Sequence, residues 1–273
     1  MLRFLLLNTT LLLVGACLSL PLVAQDIADS VRNQGQHELT DGGYLELGVG
    51  LGYVRTPEKV YEEHEEPWVL DLSFAGEFRY KRLFLEAAQG SEDGLNIGFN
   101  LWNNESWLFD LLVASISGEL IDDDAGPLAR NTLYSGAGLR VTHYLNDYVL
   151  QYRLLNDIYQ DNGLVSTLRA GRAWQYRNWL FHGIVSAQYS SEKTNNYWYG
   201  VDSQSNLSSL PEFYAPASTH LSLQLGADYP LSEKIVFRAY AGAKQFPDAI
   251  RESPLVDDYN QGYAFLTLNY VFF

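Results

Sequence analysis

Sulfur is nearly absent from this chain: its 273 residues include one cysteine and one methionine. Cys17 lies in the N-terminal apolar stretch, so the rest of the chain can form neither disulfides nor thiolate metal sites. Positive charge is also scarce, with 18 Lys and Arg against 33 Asp and Glu and a formal net charge of −15. Nucleic acid, which needs a basic surface, is excluded as a partner. Beyond the N-terminus no uninterrupted apolar run approaches the roughly 20 residues of a membrane-crossing helix, which excludes a helical membrane protein. No Gly-rich phosphate loop, zinc-ligand spacing or nucleophile elbow occurs, so no cofactor, metal or catalytic set is expected. What the chain does have is 47% hydrophobic residues, only 19% charged ones, 22 glycines and many aromatics, half of them tyrosine (19 Tyr beside 13 Phe and 6 Trp). That composition fits strands better than helices.

Met1-Leu2-Arg3 sets a positive charge ahead of an apolar stretch that ends at Leu22-Val23-Ala24-Gln25, just before Asp26. This reads as a secretory signal over residues 1–25, cleaved near Ala24 or Gln25. Val14-Gly15-Ala16-Cys17 also resembles a lipoprotein cleavage box, but Leu18 to Val23 stay largely apolar where a polar linker would follow a lipid-anchored cysteine. Removal of Arg3 takes the charge from −15 to −16. Residues 26–42 are polar and read as a periplasmic N-terminal tail. From 43 to 273 the period is two.

In Tyr44 to Arg55, Leu45, Leu47, Val49, Leu51 and Tyr53 alternate with Glu46, Gly48, Gly50 and Gly52. The same apolar-against-polar alternation recurs in 68–80, 95–101, 148–154 and 220–229, and more weakly in 83–88, 106–116, 133–143, 164–175, 179–189, 234–245 and 262–273. Twelve strands are the expectation, with ten possible because 83–88 is short and Leu108 and Leu112 fall on the polar face of 106–116.

Connection lengths tell where the apolar face points. Every second link is tight (Lys81-Arg82, Asn103 to Glu105, Leu145 to Asp147, Arg177-Asn178, Pro230 to Glu233), while the others, 56–67, 89–94, 117–132, 156–163, 190–218 and 246–261, are longer. Short turns at one end and long loops at the other are the pattern of an all-β transmembrane antiparallel β-barrel in a bacterial outer membrane, with periplasmic turns and extracellular loops. Trp68, Tyr80, Trp102, Trp107, Tyr144, Tyr148, Trp174, Tyr176, Trp179, Tyr189 and Tyr229 fall at segment ends, where rings sit at lipid headgroups. The other face carries Asp71, Glu77, Arg79, Glu86, Asp110, Arg140, Arg153, Arg169, Arg238 and Lys244, a mixed-sign lumen whose charges need partners. The last strand keeps Leu266, Leu268, Tyr270 and Phe272 on one face and ends one residue later at Phe273, a pattern that resembles the assembly tail of outer-membrane barrels.

Tyr197-Trp198-Tyr199-Gly200-Val201, followed by Phe213-Tyr214-Ala215, resembles the long loop of the MipA/OmpV family. Ser253-Pro254-Leu255-Val256 is similar to a Ser-Pro-Ile/Leu-Val segment of the same family. The resemblance implies a non-enzymatic outer-membrane protein in contact with outer-membrane lipid and lipopolysaccharide. It also implies a scaffold linking a lytic transglycosylase to a murein synthase, with a small pore or an adhesin as alternatives.

His220 and Ser222 stand at i and i+2 on one strand face, the spacing an outer-membrane lipid hydrolase would use, but their parity is that of the lumen, where no lipid substrate lies. Glu62-Glu63-His64-Glu65-Glu66, Asp122-Asp123-Asp124 and Asp257-Asp258 could engage divalent ions in principle. Residues adjacent in a loop seldom converge on one ion, and they read as solvated acidic tips.

Overall fold

In a computed structural model, residues 30–31, 41–55, 68–87, 95–116, 134–158, 161–202, 210–256 and 260–272 are described. They form twelve strands: β1 (Gly42–Arg55), β2 (Trp68–Tyr80), β3 (Leu83–Ala87), β4 (Leu95–Asn103), β5 (Trp107–Ile116), β6 (Tyr134–Leu145), β7 (Tyr148–Asp157), β8 (Leu164–Tyr176), β9 (Trp179–Ser190), β10 (Ser218–Pro230), β11 (Ile235–Gln245) and β12 (Asn260–Val271). Each pairs antiparallel with its neighbours in sequence, and β12 returns to β1 to close the barrel. Closure removes both sheet edges, so every strand finds backbone partners on two sides, as a spanning structure in hydrocarbon requires. Twelve strands are therefore formed and not ten; β3 is short but pairs fully with β2 and β4.

The alternation dictates which face is which. Leu47, Val49, Leu51, Leu70, Leu72, Leu221, Leu223, Leu225, Leu266 and Leu268 all point outward and are exposed, forming an apolar belt for lipid. The residues between them point inward and are buried or half-buried. One irregularity redirects a ring: the register shifts between Asn100 and Trp102, so Leu101 and Trp102 both face out. The tight turns force Lys81, Asn146 and Arg177 to φ of 56°, 51° and 54°. This conformation is favoured by glycine, yet Lys81 and Arg177 adopt it in two of the hairpins.

Aromatic rings in contact line the periplasmic end. Trp102 and Trp107 flank Phe109, His143 stacks on Trp107 at 4.0 Å, and Trp174, Phe181, Trp179 and Tyr229 continue the row. Lys81, Arg172, Arg177 and Lys234 place their charges over the rings of Tyr80, Tyr148, Tyr176 and Tyr270. Tyr144, expected among these girdle rings, instead turns inward and is buried, because its parity is that of Arg140 and Thr142.

Candidate functional site in the capped lumen

The family-like motifs meet at the extracellular mouth. After β9, Ser191 caps helix α1 (Glu192–Tyr199), its Oγ accepting from the Thr194 N–H. Asn195 Nδ2 donates to the Pro216 carbonyl and to Ser218 Oγ, while Asn196 donates to the Ala215 carbonyl and accepts from the Ala215 N–H. These two side chains tie α1 to the segment that leads into β10. Gly200 ends the helix where a Cβ would stand 2.5 Å from the Asn196 carbonyl oxygen, so a larger residue would push the chain off the helix end. Val201 then pairs with Phe213 through two backbone hydrogen bonds of 2.9 and 3.0 Å.

The second motif closes onto the first. After β11 the short helix α2 (Asp248–Arg251) leads to Ser253, whose Oγ donates to the Tyr199 carbonyl at 2.7 Å. Trp198, Tyr199, Val201, Ala215, Phe246, Ile250, Leu255 and Val256 form one buried cluster that continues onto the inward side chains of Leu112, Ala114, Leu155 and Val165. Two loops distant in sequence thus form a single apolar cap seated in the mouth. Tyr197 packs at its edge, and Pro254 sits half-buried beside it. Sequence reasoning missed Asn195, Asn196, Phe246 and Ile250, which carry no pattern until the two loops are brought together.

Below the cap, charge pairs line the lumen wall. Arg140 forms a two-pronged pair with Glu86 at 2.6 and 2.8 Å and also reaches Asp110 at 2.9 Å, with all three side chains at most 2% exposed. Asn100 adds a bond to Asp110 at 3.0 Å, and the Arg140 guanidinium lies over the Phe84 ring. Arg79 pairs with Glu77, and Arg238 with Glu46 at 2.8 Å and Asp228 at 3.7 Å. Arg169 donates to Gln151, and Tyr240 donates to Asp71. Arg140 and Arg238 are thus held by opposite charges, as inward charges in a small barrel require.

Leu108 and Leu112, which fit poorly in a hydrated interior, have apolar partners. Leu112 packs in the cap cluster, and Leu108 packs near the periplasmic end with Val31, Tyr144, Val149, Ala173 and Ile184. Ser30 and Val31 come from the stretch expected as a periplasmic tail, yet both are 1% exposed inside the barrel. Asp41, at the other end of that stretch, accepts from the backbone N–H of Lys81 in the β2–β3 turn.

The remaining candidates separate. His220 and Ser222 face the lumen between the outward Leu221 and Leu223, and His220 lies near the Phe246 ring of the cap. Tyr270 and Phe272 face outward and pack edge to face at 4.9 Å, with the Phe272 N–H bonded to the Leu45 carbonyl across the barrel closure. Phe273 and the acidic runs at 62–66, 122–124 and 257–258 lie outside the described residues. Among the described residues no cluster of His, Cys, Asp and Glu is arranged to hold a metal.

The closed antiparallel barrel, its outward apolar belt and its aromatic-lined periplasmic end define an outer-membrane β-barrel protein. The family model for the MltA-interacting protein MipA matches residues 48–272, and the chain belongs to that family. It is 25% identical over 230 residues to the putative outer membrane protein YiaT of Escherichia coli K12, covering 82% of this chain and 88% of that one. It is 26% identical over 234 residues to the MltA-interacting protein of the same organism, covering 79% of this chain and 85% of that one. Among solved structures, the NanC porin aligns over 82% of this chain and 98% of its own, at a TM-score of 0.44 and 9% identity.

Proposed function

We propose that this chain is a non-enzymatic scaffold of the outer membrane that holds a lytic transglycosylase, and through it a murein synthase, at the inner surface of that membrane. One observation carries the reading: an apolar cap stands in the extracellular mouth, above a buried charge cluster on the lumen wall. The apolar cap in the extracellular mouth and the Arg140–Glu86–Asp110 cluster below it leave the barrel's faces, not its bore, as the working surfaces. The relative named MltA-interacting protein supports a transglycosylase as the partner. The turns at 81–82, 104–106, 146–147, 177–178 and 231–234 are the periplasmic surface on which such an enzyme would dock. Lipid, with lipopolysaccharide in the outer leaflet, covers the belt.

The test is photo-crosslinking in living cells from probes placed at Arg82, Asn178 and Ser232, followed by mass spectrometry. The expected product is a lytic transglycosylase adduct from at least one turn. Recovery of no murein enzyme from any of the three, together with stepwise ion conductance of the purified protein in a planar bilayer, would overturn the scaffold in favour of a pore.

A further inference from the structure

Ser30 and Val31 lie within the barrel, well before β1 begins at Gly42. Their surroundings form a shaped seat. Leu108 of β5, Tyr144 of β6, Val149 of β7, Ala173 of β8 and Ile184 of β9 all turn inward and form one buried cluster with Val31, and Leu180 of β9 packs against it. The floor is Gly171 of β8: a Cβ there would stand 2.4 Å from Val31 Cγ2 and 3.1 Å from Ile184 Cγ1, so any larger residue displaces Val31. At the rim of the seat the Tyr144 hydroxyl donates to Ser30 Oγ at 3.4 Å. Six apolar side chains from five consecutive strands, and one glycine, are unexpected on the inner wall of a barrel whose inward residues below the cap are otherwise mostly polar. They are accounted for by one apolar side chain entering from the N-terminal segment.

We propose that this patch is an internal binding site for the chain's own N-terminal segment, with Val31 as its anchor and Ser30 as its polar edge. The seat lies on the periplasmic side: Tyr144 and Val149 flank the turn at 146–147, Leu108 follows the turn at 104–106, and Ala173 precedes that at 177–178. This anchor tethers residues near the start of the secreted chain to the wall formed by β5 to β9, opposite β1. The inference is independent of the scaffold reading, since an occupied seat changes neither the turns nor what docks on them.

Cysteine chemistry tests it directly, because Cys17 is the only native thiol. In the full-length protein with Cys17→Ser, expressed in the outer membrane, the pair Val31→Cys and Gly171→Cys is expected to form a disulfide in the oxidising periplasm, seen as a mobility shift on non-reducing gels. Val31→Cys paired with Asn178→Cys, at the exposed β8–β9 turn, is expected to remain reduced. As a second measurement that leaves the wall unchanged, Val31→Cys alone is expected to resist a bulky maleimide in the folded barrel and to react once the barrel is unfolded in heated detergent. Gly171→Val is expected to bring its reactivity in the folded barrel up to that of Asn178→Cys. The proposal is overturned if the double variant Val31→Cys, Gly171→Cys stays reduced, or if Val31→Cys in the parent barrel labels as fast as the turn variant Asn178→Cys.

Discussion

At the residue scale the interior is governed by the high cost of an unpaired charge. Arg140 answers two carboxylates, and removing it strands both. Arg140→Met is expected to destabilise the barrel by about 3–5 kcal/mol, read as a lower urea midpoint in micelles. The triple variant Arg140→Met, Glu86→Gln, Asp110→Asn should recover most of that loss, since no buried charge is then left over. Ser253→Ala deletes both the bond to the Tyr199 carbonyl and the one its Oγ accepts from the Leu255 N–H, and should cost about 1–3 kcal/mol. His220 and Ser222 belong to the same polar interior, so Ser222→Ala should leave any ester hydrolysis by the purified protein unchanged; a large loss would reinstate the hydrolase. The pairing of inward charges was legible from alternation alone, but the partners were not. Arg238 reaches Glu46 on β1, nearly the whole barrel sequence away, only because β12 closes onto β1.

At the element scale the cap and the strands have separate stabilities. The strands are locked by two-sided pairing, whereas the cap rests on one apolar cluster, the two asparagine clamps and the Ser253 bond. Trp198→Ala is expected to cost about 3–5 kcal/mol, and the loss should appear as local opening. Proteolysis should then cut between β9 and β10 while the heat-modifiable barrel band persists on gels. Gradual loss of the whole barrel in step with the cap would show that the two are one cooperative unit. The short motifs signalled that these loops mattered without showing how. Tyr197 to Val201 and Ser253 to Val256 are separated by two strands, and only closure of the barrel mouth makes them neighbours.

For the whole molecule, the net charge divides by location. Inside, Glu46, Asp71, Glu77, Glu86, Asp110, Asp157 and Asp228 are nearly balanced by Arg79, Arg140, Arg153, Arg169, Arg238 and Lys244. Most of the excess negative charge therefore lies elsewhere. On the described extracellular side Asp161, Glu192, Asp202, Glu212, Asp248 and Glu252 outnumber Lys193 and Arg251. The apolar belt makes a sharp prediction: Leu223→Arg, outward near the middle of β10, should cost about 2–4 kcal/mol in bilayers, and Leu223→Ile almost nothing. Brominated lipids should quench the girdle tryptophans but not Trp198, so Trp198→Phe should leave the quenched fraction of fluorescence higher than in the parent.

Alternation with a period of two, and links that are short and long in turn, determined from sequence alone that this chain is a barrel, which face meets lipid and which end meets the periplasm. These are local properties, set by the pleat of a strand and the length of a turn, and they survive without knowing any distant neighbour. What lies inside the barrel was decided only by tertiary structure. The cap, the Arg140 cluster and the Val31 seat each join residues from several strands or loops, and their apolar and charged members read as exceptions to the pattern until closure sets them against one another.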